Sequence, residues 1–297
     1  MVDRGPMVRS GMSDLTIRNL FVIPTIVFLI LMNVFPLLWS LFLSFHEWRA
    51  NSAAEPVFVG LDNYRTVLND PNLWSTFTLT ARYVVYAVVG ELVVGFGIAL
   101  LLSRPMKAKG LITTLLLLPM MMSPAVVGLF WKLLWNPSWG IVNPLLGLSK
   151  DFAWLSDPGR ALWALVITDI WMWAPFVMLL SLAGLSAIPQ HLYEAAEVDR
   201  ASRWFSFRHI TLPLVAPLLL IAVIFRTMEN FKQFDMFFTM TGGGPGIATE
   251  VNAIRLYRMA FQQWDTGQSC AFAYIMLVMV IGISSIYIKY LNKAKAR

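Results

Sequence analysis

Six polar side chains, Arg226, Glu229, Asn230, Lys232, Gln233 and Asp235, fall within ten residues at the end of an apolar run. Carboxylates and amides hydrogen-bond hydroxyl groups, so such a cluster suits weak, transient binding of a hydroxylated solute. An unpaired charge near the centre of a bilayer costs roughly 3 kcal/mol, which makes polar groups at that depth functional candidates by default. The plainer reading is mutual satisfaction. Glu229 and Lys232 stand at i and i+3 and pair on one helix face, and Asp235 lies close to the outer boundary. Glu91, in Val88-Val-Gly-Glu-Leu-Val-Val94, is an isolated carboxylate with three roles open to it: facing a partner subunit, facing the pathway, or pairing with Arg82. Lys132 is expected to extend outward beside Trp135.

Covalent and metal chemistry find little support. His46, His191 and His209 lie in different segments, and no His-Glu-x-x-His or Cys-x-x-Cys spacing occurs, so no metal site is expected. Ser284-Ser285 lacks a nucleophile-elbow pattern. The glycine run Gly242 to Gly246 is not followed by the Lys-Ser/Thr that meets β- and γ-phosphates, so this chain is not expected to bind ATP. Cys270 has no partner for an intrachain disulfide and reads as a packing residue. No catalytic residue is assigned.

The elements that position these groups follow from composition. Hydrophobic residues make up 58 % of 297 positions, charged residues 13 %, and mean hydropathy is +0.64, outside the soluble globular range. Six stretches are apolar enough to cross a bilayer, near 19–45, 74–103, 109–135, 161–187, 211–229 and 268–291. Pro213 and Pro217 leave the extent of the fifth open. Arg4, Arg9, Arg18, Arg104, Lys107, Lys109, Arg200, Arg203, Arg208, Lys289, Lys293, Lys295 and Arg297 fall on one side. Seven cations spread over longer loops fall on the other. Lys and Arg concentrate in cytoplasmic loops, which predicts both termini and the 188–210 loop in the cytoplasm. The net charge of +6 is thus a topology signal, and nucleic acid is not an expected partner. The first apolar run is too long for a cleavable signal and is expected to remain as a span. The expected class is an all-α integral membrane protein with one transmembrane domain over 1–297. Phe58 to Tyr64 reads as extended and turn-rich, and the 136–160 loop as a series of turns and caps. Ser103 to Gly110 reads as a tight basic turn joining antiparallel spans.

Residues 194 to 213, Glu-Ala-Ala-Glu-Val-Asp-Arg-Ala-Ser-Arg-Trp-Phe-Ser-Phe-Arg-His-Ile-Thr-Leu-Pro, form a charge-rich helical segment between two apolar runs. Ala195, Ala196 and Ala201 favour helix and let a facing surface approach closely. Glu194, Glu197 and Asp199 precede Arg200, Arg203 and Arg208, the order that suits a helix dipole. By composition alone, an amphipathic helix lying flat on the membrane surface is an equal reading. The register resembles the coupling loop of permease subunits in binding-protein-dependent ATP-binding-cassette importers. That pattern is Glu-Ala-Ala, three residues, Gly, nine residues, Ile, one residue, Leu-Pro. Arg200 replaces the Gly, at a position that would serve the turn between two short helices.

A second stretch, Phe234-Asp, Thr241-Gly-Gly-Gly-Pro245, Ala248-Thr249, Tyr257 and Ala260-Phe261, is similar to carbohydrate-type permeases of that group, and its glycines and proline also serve simply as a turn. The resemblance implies a type I importer permease fold with a peripheral first helix near 19–45, core helices over 74–291 and a coupling loop near 188–212. It implies coupling residues Glu194, Ala195, Ala196, Asp199, Arg200 and Ala201. Placed beside maltose-type permeases, Asp169, Trp173 and Phe176, with Glu229 and Lys232, match positions that contact solute, and Gln233 joins them. Aromatic faces stack on the C–H surface of a sugar ring. The implied partners are a second permease subunit, two ATPase subunits that bind ATP and Mg, an extracytoplasmic solute-binding protein and membrane lipid, in a bacterial cytoplasmic membrane. The competing class is a self-sufficient carrier using Glu91, Asp169 and Glu229 to couple to ions. Six spans without an evident inverted repeat are few for that, and the coupling segment would have no purpose.

Overall fold

Long apolar runs bounded by helix-starting residues become long helices. The computed structural model describes residues 13–295. Of the basic positions read above, Arg4, Arg9 and Arg297 and the side chains of Lys293 and Lys295 lie outside what it describes. Five described helices are long and apolar enough to cross a membrane: Arg18–Ser44, Pro71–Leu102, Pro158–Ser186, Arg203–Phe231 and Thr266–Lys289. Their starts follow capping chemistry. Asp70 accepts from the backbone N–H of Asn72 at 2.9 Å, with Pro71 opening the helix. Asp157 accepts from Gly159 and Arg160 at 2.8 and 3.1 Å, followed by Pro158. Proline suits this place because the first helical N–H groups have no intrahelical acceptor.

The expected third span, 109–135, is not one continuous helix. It divides into Lys109–Leu117, a 3₁₀ turn at Pro119–Met121 and Pro124–Leu134. Pro119 and Pro124 each lack an N–H and crowd the carbonyl four residues back. Met122 and Ser123 between them are extended, with ψ of 151° and 137°. The fifth stretch changes in the opposite sense. Helix Leu212–Phe231 runs on from Arg203–Ser206 through a wider turn at Phe207–Thr211. There the Leu212 N–H reaches back five residues to Phe207 O, next to Pro213. A similar widening at Ile30–Val34 precedes Pro36. An i→i−5 turn lets a helix continue where proline would break the ordinary ladder.

The first loop contains more regular structure than its turn-rich sequence predicted. His46–Glu47 pairs antiparallel with Val57–Phe58, and Asp62–Asn69 is a short helix. Asn63 joins these parts by donating to Ser44 O at 3.0 Å and His46 O at 2.9 Å.

Helices Pro71–Leu102 and Pro158–Ser186 form the tightest pairing, and glycine explains why. A Cβ on Gly95 would sit 2.5 Å from Ala174 O and 2.7 Å from Val177 Cβ, so only hydrogen lets the two backbones approach this closely. Tyr83, Leu165, Met236, Phe237, Ile254 and Phe272 fill the adjoining core. Tyr83 and Phe237 meet edge to face at 4.6 Å. Helix Arg18–Ser44 is almost wholly exposed except at its end. It leans on the last helix, where the Tyr274 hydroxyl donates to Leu37 O.

Candidate functional site

Pro71–Leu102, Pro158–Ser186 and Leu212–Phe231 converge on one guanidinium. Arg226 donates from Nε to Glu91 Oε2 at 2.7 Å and from Nη2 to Glu91 Oε1 at 3.0 Å. Nη2 also lies 3.1 Å from Asp169 Oδ2 and 2.6 Å from Asn230 Oδ1. The side chains of Arg226, Glu91 and Asp169 are 3 %, 0 % and 0 % exposed. Two carboxylates share one cation. Desolvation of this cluster is tolerable only because nearly every polar atom has a partner. Glu91 thus pairs with Arg226, and the Arg82 alternative is excluded. Nine residues separate Arg82 from Glu91, which places them on opposite faces of one helix.

Directly against this cluster lies a cleft of about 220 Å³, bordered by Pro124, Trp173, Arg226, Glu229, Asn230, Lys232, Gln233, Phe234 and Asp235. The Trp173 ring carries the Arg226 guanidinium on one face, 4.4 Å from its centroid. Glu229 and Lys232 meet at 2.9 Å on the rim, with side chains 53 % and 65 % exposed. An exposed pair of this kind is worth at most about 1 kcal/mol, so a solute can displace it.

The structure therefore brings together Trp173, Glu229, Lys232 and Gln233 of the residues singled out from the sequence. Asp169 lies beneath them, holding the arginine and presenting nothing to the cleft. Phe176 lies one turn from Trp173 and meets Phe225 edge to face at 6.5 Å, outside the cleft lining. Arg226 and Asn230, read in the polar cluster but not among the positions matched to solute contacts, also border the cleft. A charge count held the clue, since lone carboxylates at membrane depth require a cation, but choosing the cation required the helix packing. Lys132 is exposed and donates to Thr239 O at 3.3 Å, close to Trp135.

The charge-rich segment folds as two short helices, Gln190–Val198 and Arg203–Ser206, with a turn between. The turn has a specific chemistry. Arg200 adopts φ +52°, its N–H donates to Glu197 O at 3.0 Å, and the Ala201 N–H reaches Ala196 O at 2.8 Å. This is the Schellman termination, in which the left-handed residue is most often glycine. Arginine there carries roughly 1–2 kcal/mol of local strain. Arg200→Gly is expected to slow protease cleavage across 198–203 several-fold; faster cleavage would mean that the Arg200 side chain makes a stabilising contact. Ser202 caps the second helix by accepting from Phe205 N at 3.1 Å, and Tyr193 joins Thr211 at 2.8 Å to hold the limbs together. Between the limbs runs a groove lined by Leu192, Ala195, Ala196, Asp199, Ala201, Ser202, Phe205 and Ile210. Glu194 is exposed beside it.

The glycine-rich stretch is laced down on itself. Gly242, Gly243 and Gly246 have φ of 60°, 93° and 60°. Arg258 donates to Gly242 O at 2.8 Å and pairs with Glu250, and Arg255 bridges Glu250 at 3.5 Å and Asp70 at 3.0 Å. Asp70 thus uses one oxygen to start a spanning helix and the other to anchor this loop.

The sequence and the fold have known relatives. The family model described as "Binding-protein-dependent transport system inner membrane component" matches residues 91–297. The chain is 34 % identical, over 91 % of its length and 92 % of the relative's, to the trehalose/maltose transport system permease protein MalF of Thermococcus litoralis. It is 32 % identical to the sulfoquinovosyl glycerol transport system permease protein SmoG of Agrobacterium fabrum, with 95 % and 92 % covered. It is 30 % identical to the trehalose transport system permease protein SugA of Mycobacterium tuberculosis, with 96 % and 92 % covered. A solved bacterial ABC transporter involved in import of the acidic polysaccharide alginate has the same fold, with a TM-score of 0.80 at 19 % identity over 94 % of this chain and 96 % of that one. The helical architecture, the segment at 190–206 and the extent of these matches agree: this chain is a multi-pass membrane protein and belongs to the family of binding-protein-dependent transport system inner membrane components.

Proposed function

We propose that this chain is the non-catalytic permease subunit of an ATP-driven importer, forming half of the translocation path for a sugar, oligosaccharide, polyol or related glycoside. The observation that carries the reading is the cleft, where an aromatic ring and displaceable polar groups stand at the end of a membrane-depth helix. Relatives named for trehalose, maltose and sulfoquinovosyl glycerol support the solute class. The partners are a second permease, two ATPase subunits that bind ATP and Mg, and a solute-binding protein. A solved alginate transporter in complex with its periplasmic protein, at 20 % identity, supports the last by fold. A phosphate-binding loop is not supported in this chain, because the Gly242 to Gly246 run is not followed by Lys-Ser/Thr.

The groove between the two short helices receives the ATPase, with Glu194, Ala195, Ala196, Asp199, Arg200 and Ala201 transmitting force. Closure of the ATPase pair draws the two coupling segments together and turns the cavity outward, to the extent that nucleotide affinity differs between the states. The ion-coupled carrier has less support, because Glu91 and Asp169 are both held by a guanidinium and neither is free to exchange an ion.

The test is purification through a tag on this subunit, expressed with its genomic neighbours, and measurement of ATP hydrolysis in lipid. Hydrolysis that rises with one loaded binding protein supports the importer; a chain that purifies alone and moves solute down an ion gradient overturns it. Glu194→Lys is expected to leave insertion intact and to lower ATPase copurification at least tenfold. Normal copurification and uptake would remove the docking role.

A further inference from the structure

We propose that an acidic glycerophospholipid of the cytoplasmic leaflet binds this chain, its phosphate on Arg104, Lys107 and Lys109 and one acyl chain in the groove beside the break at Pro119–Met121. The importer reading supplies only the orientation of the chain in the bilayer. Binding itself requires neither ATP nor solute.

The three cations are exposed in the turn between helices Pro71–Leu102 and Lys109–Leu117. Among the described residues none of them has an ion-pair partner. The sequence also holds no Asp or Glu between Glu91 and Asp151, so neither of the helices that the turn joins brings a carboxylate near it. Leu102 packs in one cluster with Leu182 and Leu185, which puts the turn at the same end of the molecule as helix Gln190–Val198. In the importer reading that end faces the cytoplasm, where anionic lipid attracts clustered Lys and Arg beside spanning helices.

A place for the tail lies directly below. Beside the break, helices Pro71–Leu102 and Pro158–Ser186 border a groove of about 470 Å³, lined by Val94, Ile98, Leu115, Leu118, Phe130 and Trp171 among others. At about 1.5 Å per helical residue, Leu115 stands about 9 Å below Lys109 and Val94 about 12 Å below Leu102. Half of a hydrocarbon core about 30 Å thick is about 15 Å, so the groove lies at acyl-chain depth. Leu111, Leu115 and Leu118, at i, i+4 and i+7, form one exposed apolar stripe that leads from the turn into it.

The lining suits lipid better than a helix of a second subunit. Helix interfaces in membranes are rich in small residues that let backbones approach, and Ala174 is the only Gly, Ala, Ser or Thr lining this groove. A helix is about 10–12 Å across, so the groove would hold roughly one turn of it. An acyl chain is slimmer, and the phosphate at its head meets the cations at the same time.

The test is native mass spectrometry of the purified complex in detergent, with phosphatidylglycerol or phosphatidylcholine of equal chain length. One phosphatidylglycerol should be retained on this subunit in preference to phosphatidylcholine. Arg104→Gln with Lys107→Gln and Lys109→Gln should lower that retention about tenfold at unchanged yield and elution volume. Inorganic phosphate should not displace the lipid. A photoactivatable p-benzoylphenylalanine in place of Leu118, illuminated in native membranes, should gain the mass of a phospholipid. Equal retention of the two lipids, undiminished retention in the triple variant, displacement by inorganic phosphate, or a cross-link from position 118 to a second permease subunit each overturn the lipid site. Loss of ATP-driven transport in the wild-type complex would instead strike the importer reading and leave the retention measurement standing.

Discussion

Arg226→Met alone is expected to remove most of the subunit from the membrane fraction. The substitution leaves Glu91 and Asp169 together in a fully buried site, where neither can reach water. Breaking a buried ion pair from one side costs about 3–5 kcal/mol, a large share of the stability of a folded domain. Repulsion between the two carboxylates adds to this. The same physics predicts its own rescue. Glu91→Gln with Asp169→Asn in the Arg226→Met background removes every formal charge, and the yield of inserted, heat-resistant subunit should return to near wild type. Yield and thermal midpoint in a mild detergent decide the matter. An unaffected single variant would mean that water reaches the cluster, and an unrescued triple variant would mean that the arginine is needed for helix packing itself.

Gly95→Val is the second large effect. The added Cβ falls 2.5 Å from Ala174 O, 2.7 Å from Val177 Cβ and 3.0 Å from Met178 N. Two of these contacts are backbone atoms of the neighbouring helix, which cannot turn aside as a side chain would. The helices must separate, at a cost of about 1–3 kcal/mol for overpacking. Glu91 is one turn from Gly95 and Asp169 stands on the facing helix, so the same separation lengthens the bonds to Arg226. Valine at this position should therefore lower the thermal midpoint and also reduce uptake more than tenfold in the protein that remains. Gly97 faces open space and is the control, because Gly97→Val meets nothing within 4 Å. Equal behaviour of the two variants would show that close approach at Gly95 is not needed.

Much of the membrane architecture was legible in the chain, because bilayer burial is written as composition. Apolar runs long enough to span became helices, and Asp70-Pro71 and Asp157-Pro158 mark their starts as capping rules require. The charge-rich segment at 190–206 was legible for a different reason. Its two helices and turn are set by local bonds among residues 190 to 206, so spacing carried the information, and Arg200 takes the left-handed conformation at the place where the pattern it resembles has glycine. Proline was read less well. Pro119 and Pro124 divide a stretch that hydropathy makes continuous, whereas Pro213 is absorbed by a widened turn. Hydropathy averages over a window and registers neither the missing N–H nor how the neighbouring carbonyls are re-satisfied.

The sequence by itself determined that this is a helical membrane protein, which segment interrupts its apolar runs with a charge-rich turn, and which few residues carry charge at membrane depth. Only the tertiary structure decided which of those charges meet. Glu91, Asp169 and Arg226 lie 57 and 135 residues apart along the chain in their two pairings. Their contact depends on a glycine that lets two helices touch and on the rotation of a third. Pairing across spans is a property of helix packing, set by distances of a few ångströms, and no local pattern encodes it. The same packing divides the expected site, placing Asp169 beneath the cleft as support and leaving Trp173, Glu229, Lys232 and Gln233 on its surface.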